Sequence, residues 1–142
     1  LTARLQKVQP DILESVALTA QNYETKIASL GLTRFDLVWI GVGEDGHTLS
    51  LFPNSSAFID LTDSWVIPVY DSPKPPSQRI TLSLKALENI SELVIFAVGA
   101  SKQAALKEAR LKRKLPIAVA ADVAEMNGAE VRWLYDDAAW ED

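Results

Sequence analysis

The sequence contains no cysteine. That excludes a disulfide framework, a thiolate nucleophile and a cysteine metal site, and it fits a reducing compartment. Histidine occurs once, as His47. A metal centre needs three or four convergent ligands. Only Glu44, Asp45 and His47 cluster in the sequence, so no metal is expected. No apolar run reaches the roughly 18 residues of a membrane span, and no membrane segment is expected. Positive charge is in deficit: 14 Lys and Arg against 19 Asp and Glu leave a net charge of −5. That argues against nucleic acid or an anionic membrane surface as a partner. A small anionic substrate stays compatible, because a pocket can be locally basic on an acidic protein. The opening Leu-Thr-Ala-Arg-Leu-Gln has no signal-peptide pattern. It also lacks an initiator methionine, so a trimmed or partial chain is expected.

What is present is enough for one domain. The chain has 142 residues, 48% of them hydrophobic, and that length can bury a real core. Residues 1–9 read as a lead-in. Pro10-Asp11 opens a helix, with Ile12, Val16, Ala20, Tyr23, Ile27 and Leu30 at helical spacing and Gly31 as its stop. Tyr23 is expected in the core. Phe35 to Ile40 is a short apolar run rich in β-branched and aromatic residues, the pattern of a buried parallel strand. Asn54 to Asp63 reads as irregular. Trp65 to Tyr70 is a strand whose Pro68 implies an edge or an interruption. Pro73, Pro75 and Pro76 stiffen the loop that follows. Arg79 to Ser83 alternates as a strand, and Ser83 caps a short helix from Leu84.

Glu92 to Val98 reads as a second central strand. A helix follows from Lys102 to about Lys114, with Ser101 as N-cap, and it stops at Leu115-Pro116. Ile117 to Asp122 reads as a short strand or extended segment. Val131 to Tyr135 is the last strand, and Asp136 to Asp142 a polar tail. Trp39, Trp65 and Trp133 are expected in the core. Strands alternating with helices predict a single α/β domain over residues 1–142, with a mostly parallel sheet and right-handed crossovers.

The chemistry concentrates in Gly41 to Thr48. Three glycines (Gly41, Gly43, Gly46) surround Glu44, Asp45 and His47, at the carboxyl end of a strand, where open α/β sheets bind ligands. An imidazole, with an unperturbed pKa of about 6.5, is a natural general base near neutrality. Asp45 or Glu44 can fix its tautomer. The alternative is a structural histidine. Lys74, Arg79 and Lys102 are the candidate anion ligands, with solvated surface charge as the alternative. Lys102 starts a helix, where free N–H groups and the dipole favour anions. The late run Lys107, Arg110, Lys112, Arg113 and Lys114 reads as solvated charge.

Gly41-Val-Gly-Glu-Asp-Gly-His-Thr-Leu-Ser-Leu-Phe-Pro53 resembles the signature loop of the 6-phosphogluconolactonase family. Three further blocks resemble it in order and spacing: Ser72-Pro-Lys-Pro-Pro76 with Arg79-Ile-Thr-Leu-Ser83, Leu93 to Gly99 with Lys102, and Trp133-Leu-Tyr-Asp136 with Ala138-Ala139. The resemblance implies a Rossmann-like α/β fold shared with glucosamine-6-phosphate deaminases and ribose-5-phosphate isomerases. It implies hydrolysis of 6-phospho-D-glucono-1,5-lactone in the pentose phosphate pathway, in the cytoplasm, with no cofactor. His47 is then the base and Asp45 its partner, assisted by Glu44. Lys102, Arg79 and Lys74 hold the 6-phosphate or developing charge. Gly43 and Gly46 join them as substrate-binding residues, with N–H groups of the glycine loop stabilising the oxyanion.

The deaminases carry a similar loop but continue with Asn-Glu-Pro where this chain has Leu51-Phe52-Pro53, which favours the lactonase. Amino-sugar-6-phosphate deamination or isomerisation is the alternative, and an inactive phosphosugar-binding fragment is another. The N-terminal Ser/Gly/Thr-rich phosphate loop and Asp-Glu-Arg segment of the family have no counterpart here. The resemblance therefore covers the C-terminal portion of a family member, with sheet edge and apolar surface expected to be exposed.

Overall fold

A computed structural model describes residues 10–112 and 114–140. The lead-in 1–9, Arg113 of the late cationic run and the last two residues of the tail lie outside the described residues.

Two layers position the site. The main one is a three-stranded parallel sheet in the order β1-β4-β5: β1 (Phe35–Gly41), β4 (Ile90–Ala97) and β5 (Glu130–Tyr135). Val38 pairs in register with Leu93 and Ile40 with Ile95. Leu93 and Ile95 in turn sit beside Val131 and Trp133. These residues share one face, because side chains alternate along a strand. That face packs on α3 (Gln103–Lys112) and α4 (Pro116–Met126) through Leu106, Ala109, Ile117, Ala120 and Ala124. The smaller layer is an antiparallel ribbon, β2 (Val66–Val69) with β3 (Arg79–Leu82), packed on α1 (Pro10–Ser29). Pro68 pairs with Ile80 in this two-stranded ribbon, where every strand is an edge.

Several elements differ from the sequence reading. The segment 117–122, expected to be extended, lies inside helix α4. Pro116 sits in its first turn, where a missing N–H costs nothing, and alanines fill its interior. A helix buried on most sides shows no 3.6-residue pattern, so its apolar run resembles a buried strand. The helix expected from Lys102 begins one residue later, after a 3-10 turn over Ala100–Lys102, and ends at Lys112. Gly99, not Ser101, holds the cap position, at φ +91°. Within 54–63, Ser56–Ile59 forms one short helix, α2. Ser83 precedes a 3-10 turn, and its hydroxyl donates to Ser64 O at 2.6 Å rather than capping.

Burial also departs from expectation in places. Tyr23 is exposed, because α1 buries only the stripe through Ala20 and Ile27. Trp65 packs against Phe35, with ring centroids 5.2 Å apart. Trp133 joins the main core. Trp39, however, is 63% exposed. It lies with Leu37, Phe96 and Leu134 on the second face of the sheet, and all four are exposed. The exposed apolar surface expected from the sequence is therefore this sheet face. The segment after β5 is more than a polar tail, since Ala139 is fully buried.

Candidate functional site

Parallel strands put their carboxyl ends at one edge. β1 ends at Gly41, opposite Phe96 near the end of β4. The loop after β1 carries His47, and the turn after β4 carries Lys102. The β2–β3 connection brings Lys74 to the same place. Lys74, Lys102, Glu44, Gly43 and His47 all line one cleft of about 540 Å³, a size suited to a small molecule. A second cleft, of about 330 Å³, lies between α3, α4 and β5 with mainly apolar walls that include Leu106, Trp133 and Trp140, and it holds none of the predicted site residues.

The loop closes on itself. Gly43 N donates to His47 O at 2.8 Å, and Gly46 N to Gly43 O at 2.9 Å. The Thr48 hydroxyl donates to Gly41 O at 2.8 Å. Two glycines are sterically required. A Cβ on Gly43 would stand 1.9 Å from His47 Nδ1 and 2.7 Å from Asp45 Oδ1. Gly46 has φ +78°, and a Cβ there would meet Leu115 Cδ1 at 2.5 Å. A Cβ on Gly41 would meet nothing. Leu49, at φ 55°, carries left-handed backbone two residues past His47, a conformation of the kind that clusters at functional sites. The Gly43 and Gly46 amides are thus already engaged within the loop.

Asp45 is the histidine's partner. Its Oδ1 lies 2.5 Å from His47 Nδ1 and also accepts from His47 N at 3.2 Å. A carboxylate only accepts, so Nδ1 carries a proton, and in the neutral imidazole Nε2 keeps a free lone pair. Burial favours the protonated form of Asp45. The hydrogen bonds and charge attraction from His47 outweigh that, and the carboxyl is held below its ordinary 3.8. Lys74 Nζ sits 3.9 Å from the other oxygen, Oδ2. Glu44 is exposed at the cleft and makes no hydrogen bond to His47. Among the described residues, no three His, Asp or Glu side chains converge as for a metal.

Arg79 is turned toward the proline loop rather than into the cleft. Its Nη2 donates to Lys74 O at 2.8 Å and Pro75 O at 3.1 Å, and its Nε to Pro76 O at 3.0 Å. It is absent from the residues lining the cleft. Two further residues had no assigned role in the sequence reading. Phe52, almost fully buried, stacks on the His47 ring with centroids 4.4 Å apart and planes at 26°. Asp136 Oδ1 accepts from Gly99 N and Ala139 N, each at 2.9 Å, and so fixes the turn that carries Lys102. The available signals were an aromatic five residues past the histidine and an acid just after a strand.

The chain matches the family described as glucosamine-6-phosphate isomerases/6-phosphogluconolactonase over residues 3–133. A protein named "Probable 6-phosphogluconolactonase" from Drosophila melanogaster is 38% identical over 115 residues, covering 80% of this chain and 47% of that protein. The 6-phosphogluconolactonase of Homo sapiens is 39% identical over 108 residues, covering 74% and 40%. The crystal structure of 6-phosphogluconolactonase from Leishmania guyanensis matches with a TM-score of 0.67 at 27% identity, over 84% of this chain and 50% of that one. The chain thus spans about half the length of the relatives it matches. The fold is that of the 6-phosphogluconolactonases, with the parallel sheet flanked by helices. By the extent of the match and the architecture it shares with a solved relative, this chain belongs to the glucosamine-6-phosphate isomerase/6-phosphogluconolactonase family.

Proposed function

We propose that this site hydrolyses 6-phospho-D-glucono-1,5-lactone to 6-phospho-D-gluconate. One observation carries the reading: the only histidine has Nδ1 held by Asp45 and shares a cleft with Lys74 and Lys102. In this reading Nε2 of His47 takes a proton from water, and the resulting hydroxide attacks the lactone carbonyl. The ring C–O bond of the tetrahedral intermediate then breaks, and the imidazolium returns the proton to the leaving ring oxygen. Asp45 holds the tautomer and stabilises the imidazolium. Lys74 and Lys102 take the phosphate or the developing oxyanion. Glu44 stands at the cleft as a secondary carboxylate, and Gly43 and Gly46 shape the loop. No step calls for a metal or an organic cofactor. The substrate is a charged sugar phosphate, which a cell keeps in its cytoplasm, and the reaction involves neither nucleic acid nor membrane.

The test is lactone turnover by the chain and by His47→Ala, measured above spontaneous hydrolysis. Removing a general base lowers the rate by about 10²–10⁴-fold. A wild-type rate in His47→Ala defeats the reading. A second reading is a phosphosugar-binding unit without turnover, which the two lysines of the cleft also suit. It predicts binding of 6-phosphogluconate with no hydrolysis by wild type. Ammonia release from glucosamine 6-phosphate would instead mark the deaminase branch of the family.

A further inference from the structure

The loop that carries Lys74 has a donor shortage. Pro73, Pro75 and Pro76 have no N–H, so the loop has few backbone donors to bridge the carbonyls of residues 74, 75 and 76. Arg79 supplies them. Its fork donates to all three oxygens, and a guanidinium is rigid enough to hold three acceptors at once. Lys74 O also accepts from the Ser72 hydroxyl at 2.8 Å, so two donors pin the backbone of the lysine. The Lys74 ammonium then reaches Asp45 Oδ2, while Oδ1 of the same carboxylate holds His47. A second path leads back to the same place. The Arg79 guanidinium lies 5.4 Å from the centre of the Phe52 ring, and Phe52 stacks on His47. The contacts form a closed circuit: His47, Phe52, Arg79, Lys74, Asp45 and back to His47.

We infer that Arg79, acting with Phe52, is a positioning residue for this site. It sets the ring plane of His47 through Phe52 and the place of Lys74 through the loop carbonyls, and it does not itself bind the substrate phosphate. The inference rests on the hydrolytic reading only for its catalytic consequence. The physical claim concerns the resting site. Its first support is direction, since the guanidinium is committed to the loop carbonyls while Lys74 and Lys102 line the cleft itself. Its second is redundancy, since two separate paths from Arg79 end on the same imidazole.

A single histidine makes the claim readable by proton NMR, because the chain gives one pair of imidazole resonances. In Arg79→Lys the charge stays and the fork is lost. The His47 resonances should then move toward the position of an unstacked imidazole. Phe52→Leu should move them the same way. Wild type needs no variant for a complementary measurement. On titration with inorganic phosphate, the Arg79 Nε–H signal should stay in place while His47 and the signals of residues around Lys74 and Lys102 shift. Unmoved His47 resonances in a folded Arg79→Lys chain overturn the inference. So does an Arg79 Nε–H signal that tracks phosphate, which would make Arg79 a direct anion ligand. If Arg79→Lys does not fold, the wild-type titration decides.

Where turnover is measured, Arg79→Lys should lower kcat for the phosphorylated lactone and for unphosphorylated glucono-1,5-lactone by the same factor. An undiminished kcat on the unphosphorylated lactone contradicts positioning of His47, because that substrate has no phosphate for Lys74 to hold. Absence of turnover in wild type would defeat the hydrolase reading and leave the NMR result standing, so the two failures are distinguishable.

Discussion

At the scale of single residues, the site depends on space as much as on charge. Gly43 leaves room for the imidazole, and any Cβ there would overlap His47 Nδ1 at 1.9 Å. Gly43→Ala should therefore push the ring off Asp45 and lower turnover nearly as far as His47→Ala, by about 10²-fold or more. Because the clash is with a side chain, the fold should survive. Circular dichroism and the rate together check this, and a fully active Gly43→Ala would contradict the geometry. Asp45 fixes the sign of the pH dependence. Its carboxyl is held below the ordinary 3.8, so it stays ionised wherever an imidazole titrates. Its contribution to folding is present above the unfolded value and is lost as pH falls through the lower folded one. Between pH 5 and 8 Asp45 therefore stays a carboxylate, and its own protonation contributes nothing to a fall in rate on the acid side. A pH–rate profile that is flat across that range would remove His47 as the base.

At the scale of elements, the site is held from behind by short segments with defined partners. The turn after β4 carries Lys102, and Asp136 at the end of β5 fixes it through two amide hydrogens. Asp136→Ala would leave two donors without acceptors, at about 1–3 kcal/mol for a lost partner. A lower urea midpoint at unchanged slope is expected, and Asp136→Asn should lose less because it keeps the accepting oxygen. An unchanged midpoint would show that water replaces the carboxylate without penalty. β1, β4 and the loop after β1 are legible in the sequence, because a short β-branched run ending in glycine and acids has few alternative structures. α4 is not. Its apolar residues are buried on several sides, and periodicity separates helix from strand only when one side faces water.

At the scale of the whole molecule, the described residues leave much of one sheet face open. Parallel sheets are ordinarily covered on both faces, yet Leu37, Trp39, Phe96 and Leu134 face outward here. Among the described residues, β1 also has no partner along its other edge. A contiguous apolar patch of this kind drives association. The 142-residue chain should self-associate with rising concentration, and Trp39→Lys with Phe96→Glu should shift it toward monomer in sedimentation velocity. A wild-type chain that stays monomeric at all concentrations would contradict this. On its own the chain would then pair its function with a strong tendency to bury that face.

Local chemistry was determined by the sequence alone. The glycine-rich loop, its lone histidine and neighbouring acids, the two central strands and the resemblance to a lactonase family can all be read there, because each depends on residues within a few positions of one another. Tertiary structure decided the rest. It brought Lys74 and Lys102 to His47, turned Arg79 toward the proline-loop carbonyls, laid Phe52 on the imidazole and left Trp39 outside. Each of those outcomes depends on which distant segments meet, on which donors a carbonyl finds, and on which face of a sheet is covered. A local pattern of residue types carries none of that information.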